Sequence, residues 1–171
     1  MKSILSDASE RLIGQKMFQI LDHAKKLEGE GKDIIHFEIG DPDFNTPQNI
    51  KDAAIKSINN GETHYTSSFG LLELRDLACE VTLKSRGFKP TLDQVLVTPG
   101  ANFQIYLVAA CVLNYGDEVI IPDPSFVSYE SIINFLGGKI INVPLNESNY
   151  FHVNPDDLKK KITKKTKLII L

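Results

Sequence analysis

Two short stretches carry residue types that can do chemistry. "TPGAN", residues 98–102, closes the β-branched run "QVLVT" and opens an apolar run that continues to residue 113. If the chain passes there from a strand into a helix, the backbone N–H groups of Gly100, Ala101 and Asn102 become the unpaired donors of a helix N-terminus, backed by the positive end of its dipole. Such amides bind phosphate. Glycine and alanine keep the backbone open to an oxyanion, and Asn102 adds a side-chain donor. Taken alone, the pentapeptide reads first as an ordinary strand-to-helix turn and only second as an anion site. "PDPSF", residues 122–126, follows the next apolar run in the same way. Phe126 at that loop can cover a planar ring held by the phosphate, whereas by itself it reads as a core phenylalanine. Neither loop is a Walker phosphate loop or a Gly-x-Gly-x-x-Gly fingerprint, which leaves a phosphorylated planar cofactor as the ligand that suits the pair.

The elements that must position these loops show in the hydrophobic periodicity. Leu12, Ile13, Met17, Ile20, Leu21, Ala24 and Leu27 recur at helical spacing over 10–28, with Gly29 and Gly31 ending the run. "DIIHFEI" at 33–39 reads as a strand. Thr46 and Pro47 read as the N-cap and first turn of a helix that stops at "NNG", 59–61. A helix from about 71 to 85 carries Leu71, Leu74, Leu77, Ala78 and Val81 on one face, with Gly87 just beyond. The short runs at 94–98, 118–122, 139–143 and 167–171 then alternate with helical segments at about 101–113, 125–136 and 155–162. Strand and helix in alternation imply parallel strands, right-handed crossovers and helices on both faces. The fold class is α/β. In such sheets ligands collect beyond the carboxyl ends of the strands, where both loops open.

Composition narrows the function classes. The 171 residues hold 19 basic against 22 acidic side chains, a net charge of −3, with no long block of either sign, so nucleic acid is not an expected partner. The cluster of Lys159, Lys160, Lys161, Lys164, Lys165 and Lys167 reads as a solvated helix end. Cys79 and Cys111 sit in apolar helical patterns and read as small core residues in a reduced, cytoplasmic setting. No signal core or membrane span is visible. His23, His36, His64 and His152 lack triad or metal spacing, Asp41 and Asp43 bracket Pro42 in a turn, and Arg75 reads as a structural hydrogen-bonding residue. No metal site is expected.

Four segments, "IGDPDFNTP" at 39–47, "HYTSSFGLLELR" at 64–75, "VTPGANFQ" at 97–104 and "GDEVIIPDPSFVSY" at 116–129, stand in the order and spacing of one family. In them the chain resembles the fold-type I pyridoxal-phosphate aminotransferases, class I/II, near the aspartate aminotransferase group. The resemblance implies a three-layer α/β/α domain with a mostly parallel sheet, incomplete here and preceded by an N-terminal helical segment. Residues 1–45 would form the N-terminal arm and part of the small domain, and 46–171 the N-terminal part of the large domain. It implies pyridoxal 5'-phosphate as cofactor, with Gly100, Ala101 and Asn102 as its phosphate cup, although the serine or threonine that some relatives carry there is lacking. Phe126 matches the aromatic residue stacked on the pyridine ring. Tyr65 matches the tyrosine that reaches the phosphate of a neighbouring subunit, which implies a homodimer. Gly40 matches the glycine beside the substrate carboxylate. Without the family, Tyr65 reads as a half-buried aromatic and Gly40 as a turn glycine.

The implied activity is transfer of an amino group from an amino acid to a 2-oxo acid. The alternatives are a carbon–sulfur lyase or cyclopropane-carboxylate synthase on the same fold, or a non-catalytic cofactor-binding remnant or regulatory domain. The family also needs a lysine that bonds to the cofactor, an aspartate on the pyridine nitrogen and an arginine for the substrate carboxylate. In relatives these come later than "KLIIL", so no catalytic residue is expected in this chain and the lysine is expected beyond Leu171. The only arginines here are Arg11, Arg75 and Arg86. The expectation is an N-terminal portion of a longer enzyme, inactive and poorly soluble when isolated.

Overall fold

The computed structural model describes residues 4–12, 14 and 16–171. In chain order its elements are α1 (Asp7–Glu10), α2 (Lys16–Gly29), α3 (Gln48–Asn59), α4 (Leu72–Arg86), α5 (Ala101–Val112), β1 (Glu118–Asp123), α6 (Val127–Phe135), β2 (Lys139–Pro144), α7 (Pro155–Lys161) and β3 (Thr166–Ile169). The single helix expected over 10–28 is instead two, and Gly14 lies between them. Ile13, counted in its apolar stripe, lies outside the described residues. α3 begins one residue later than expected: Pro47, with ψ at 143°, is its N-cap, without a side-chain hydrogen bond. Its carbonyl takes the first helical bonds, from the N–H groups of Ile50 and Lys51.

By proximity the chain divides into two units, Met1–Ile39 with Gly100–Leu171, and Gly40–Pro99. The first holds a parallel sheet in the order β2-β1-β3. β1 is the middle strand, and its residues Glu118, Val119, Ile120 and Ile121 are buried. That is why "EVII" is a continuous run and not an alternating one: a central strand covered on both faces has no solvent side. Val119, Ile121 and Ile133 form the core, with Leu113, Tyr129, Ile140, Leu168 and Ile170 packed against it. From β1 the chain crosses through α6 to β2 on one side, then returns through α7 to β3 on the other. Because parallel crossovers are right-handed, reversing direction puts α6 and α7 on opposite faces. The fold is α/β with a parallel sheet. α7 starts cleanly: Asn154 accepts from the Asp156 N–H at 2.9 Å, and Pro155 supplies the first helical residue.

Two expected strands do not form. Residues 33–39 and 95–98 are extended or irregular, with no ladder partner, and Gln94 closes a short 3-10 turn, Leu92–Gln94. β-branched composition favours an extended backbone, but a strand exists only when a neighbour takes its N–H and C=O groups. In the unit Gly40–Pro99, Val97 N–H donates instead to the carbonyl of Phe69 at 3.0 Å. Gly70 makes this possible, because a Cβ there would stand 2.6 Å from the Val97 Cβ and its φ is +98°. Arg75 is structural, as expected: its Nε donates to the Val95 carbonyl at 3.1 Å, a terminal nitrogen bonds the Leu92 carbonyl, and the guanidinium lies over the Phe69 ring. The apolar face expected on α4 is not buried, since Leu71, Leu74, Leu77 and Val81 are all exposed and Cys79 is the buried side chain. Cys111 likewise is exposed, not core. Beyond Asn102 and Gln104 in its first turn, α5 is apolar on every side and so gives no sequence signal for which face is packed. Among the described residues, no helix is long and apolar enough to cross a membrane.

Candidate functional site

Gly100 is the N-cap of α5, with φ at 92° and ψ at 160°. This backbone region belongs to glycine almost alone, so the residue is fixed by conformation. Steric room is not the reason, because a Cβ there would meet nothing within 4 Å. α5 carries no side-chain cap and no acidic residue in its first turn. Ala101, Asn102 and Phe103 at its start are exposed. The first turn therefore presents amide donors toward solvent with the dipole's positive end behind them, a donor set that matches an oxyanion.

Phe126 is the N-cap of α6, at the carboxyl end of β1, with φ at −71° and ψ at 131°. It is half-exposed and not a core side chain. Its ring leans on Tyr129, with centroids 5.8 Å apart and planes at 59°, which leaves a face available. Beside it opens a cleft of about 380 Å³ lined by Asp123, Ser125, Phe126, Glu130 and Asn142, among others. Gly100, Ala101 and Asn102 do not line this cleft.

One bond joins the two loops. Ser128, buried in the first turn of α6, donates its hydroxyl to Asn102 Oδ1 at 2.8 Å. The structure thus brings together the start of α5 and the start of α6, two residues beyond Phe126. Sequence reasoning does not single out Ser128, which reads as a plain serine between Val127 and Tyr129. The signal that could find it is a hydroxyl in the apolar stripe of a helix, since a buried hydroxyl needs a partner.

Tyr65 and Gly40 belong to the other unit. Tyr65 is fully exposed, with its ring free of packing, so it is not the half-buried aromatic of the unaided reading. Gly40 is exposed, its φ lies outside the left-handed region, and a Cβ added to it would meet nothing within 4 Å. The groups whose pKa is moved from its ordinary value are other residues, His36 and Lys89 upward and Glu38, Glu80 and Asp93 downward, each through a side-chain hydrogen bond. Among the described residues no group of three or more His, Cys, Asp or Glu is placed to hold a metal ion.

This parallel sheet, with its helices and loops, has counterparts among known proteins. The family model for aminotransferase class I and II matches residues 32–171, and the chain belongs to this family. It is 40% identical over 156 residues to an aspartate aminotransferase of Pyrococcus horikoshii, covering 91% of this chain and 39% of that protein. It is 38% identical over 168 residues to aromatic-amino-acid aminotransferase 2 of Thermococcus litoralis, covering 98% and 42%. A solved structure of a Thermus thermophilus aspartate aminotransferase mutant superposes with a TM-score of 0.92 at 29% identity, over 100% of this chain and 44% of that one. The chain spans about two fifths of the length of these relatives.

Proposed function

We propose that the chain is the N-terminal, cofactor-holding portion of a pyridoxal 5'-phosphate-dependent aminotransferase that moves an amino group from an amino acid to a 2-oxo acid. The observation that carries this reading is the glycine-only N-cap at Gly100, which starts a helix whose Asn102 is bonded to Ser128, two residues beyond Phe126, in a chain of the aminotransferase family. In it, the amides of Gly100, Ala101 and Asn102 and the Asn102 side chain hold the phosphate, and Phe126 covers the pyridine ring. When bound, the cofactor supplies an electron-accepting ring that stabilises negative charge at the substrate Cα. The chain's own contribution is to anchor and orient: the α5 dipole and amides fix the phosphate end, and the exposed face of Phe126 sets the plane of the ring.

In the same reading, Gly40 lies beside the substrate carboxylate, and Tyr65 reaches the phosphate of a second subunit, so the enzyme is a homodimer. Residues 1–45 belong to the arm and small domain and 46–171 to the large domain. The enzyme works in the cytoplasm. The donor lies in the range named by the relatives, aspartate for the Pyrococcus horikoshii protein and aromatic amino acids for the Thermococcus litoralis one. The test is made with the full-length protein. Pyridoxal phosphate is expected to slow hydrogen exchange at the Ala101–Phe103 amides, and the loaded protein to convert 2-oxoglutarate to glutamate with aspartate or an aromatic amino acid as donor. Absence of both protection and amino transfer would overturn the proposal.

A further inference from the structure

We propose that Ser128 is a positioning residue for the anion site, holding the Asn102 carboxamide so that its NH₂ group, and not its oxygen, is turned to the phosphate. This rests on the reading of residues 100–102 as the phosphate site. A carboxamide is two-faced: its ends have nearly the same size and opposite polarity, and half a turn about its last bond exchanges them. Beside an oxyanion the exchange reverses the sign of the interaction, from donor to repelling acceptor. Nothing in α5 itself decides the matter, because Asn102 stands in an exposed first turn. The decision comes from α6.

Ser128 is 4% exposed, and its hydroxyl donates to Asn102 Oδ1 at 2.8 Å. That is the one side-chain hydrogen bond the structure gives this hydroxyl among the described residues. If the amide turned over, its N–H would face the serine oxygen and the buried hydroxyl proton would lose its acceptor, which a low-dielectric site penalises. The buried hydroxyl therefore selects one amide orientation, with the oxygen inward and both N–H bonds left for the anion. The same bond ties α5 to α6 two residues after Phe126. A single hydroxyl thus sets the phosphate donor and registers it against the element that carries the ring-facing aromatic.

The experiment measures dissociation constants for pyridoxal phosphate and for pyridoxal on the full-length apoprotein and three variants: Ser128→Ala, Asn102→Ala and the double variant. Ser128→Ala is expected to weaken pyridoxal phosphate about tenfold, the worth of one charge-assisted hydrogen bond, and to leave pyridoxal unchanged. Asn102→Ala is expected to do the same, and the double variant to lose no more than Asn102→Ala alone. Ser128→Thr, which keeps the hydroxyl, is expected to recover the phosphate preference. The ³¹P resonance of the bound cofactor should shift in Ser128→Ala and return in Ser128→Thr. Equal loss for pyridoxal and its phosphate, additive losses in the double variant, or an unchanged Ser128→Ala would overturn the role of Ser128 while leaving the phosphate site standing. Failure of the unmutated protein to prefer pyridoxal phosphate over pyridoxal would overturn both.

Discussion

His36 sits between two carboxylates, with Nε2 2.9 Å from Glu28 Oε1 on α2 and Nδ1 against Glu38 Oε1. Hydrogen bonding to Glu28, then to Glu38, raises its pKa above the ordinary 6.5. The hydrogen bond from His36 lowers that of Glu38 below 4.5. The signs define a window. A raised histidine contributes stability that is complete below 6.5 and is lost as pH climbs through its folded value, and a lowered carboxylate contributes stability that is present above 4.5 and is lost as pH falls through its folded value. The tether between α2 and residues 36–38 is therefore firmest between those ordinary values. In an NMR titration the His36 Cε1 proton is expected to turn above pH 6.5, and Glu28→Gln to bring the midpoint down; a midpoint at or below 6.5 in the unmutated protein would contradict the geometry. Legibility at this scale is uneven. Gly100 is legible because a glycine at the entry to a helix has few other uses. The histidine is passed over for want of triad or metal spacing, since its partners at 28 and 38 are joined by a fold that spacing does not reveal. Ser128 is illegible for a related reason, because its partner lies 26 residues away.

β1 is pinned at its amino end, away from the candidate site, by a buried carboxylate. Glu118 Oε2 accepts from Thr163 Oγ1 at 2.6 Å, its N–H donates to the Lys165 carbonyl at 2.8 Å, and Lys139 Nζ stands 3.8 Å from Oε1. These partners belong to β2 and to the turn before β3, so one residue, through its side chain and its N–H, registers all three strands near the bulge between Glu118 and Val119. Thr163→Val is expected to lower stability by about 1.5–3 kcal/mol, the value of a hydrogen bond to a charged group, and Glu118→Ala by at least as much because the Thr163 and Lys139 contacts are then lost together. Glu118→Gln, which keeps an acceptor, should cost less. Denaturant midpoints of the full-length protein decide this, and a Thr163→Val midpoint unchanged would remove the pin. The three paired strands are all legible as short β-branched runs. So are the two segments that do not pair, because a run of Val and Ile reports preference for an extended backbone, and pairing is settled by what lies beside it.

For the whole molecule, the dominant physical fact is apolar surface without a covering. From Ile105 onward α5 is apolar around its full circumference, a pattern that belongs to a helix packed on all sides. Yet only Ala109 of it is buried, while Phe103, Val108, Val112 and Cys111 are exposed. In the other unit, α4 leaves Leu71, Leu74, Leu77 and Val81 in solvent. Contiguous apolar faces of this kind are interaction surfaces in an intact protein and association surfaces when left bare. A polypeptide limited to these 171 residues is therefore expected to bind a hydrophobic dye such as ANS, to self-associate, and to melt without a sharp cooperative transition. Thiol labelling refines the expectation. Cys111 should react rapidly with an aromatic disulfide reagent, and Cys79, only 1% exposed, should react only as the chain opens. In the full-length protein the dye signal should vanish and Cys111 should become as slow as Cys79, because packing on all sides of α5 then protects Cys111. A 171-residue polypeptide that stays monomeric, excludes the dye and unfolds in one sharp calorimetric peak would show that these faces need no cover.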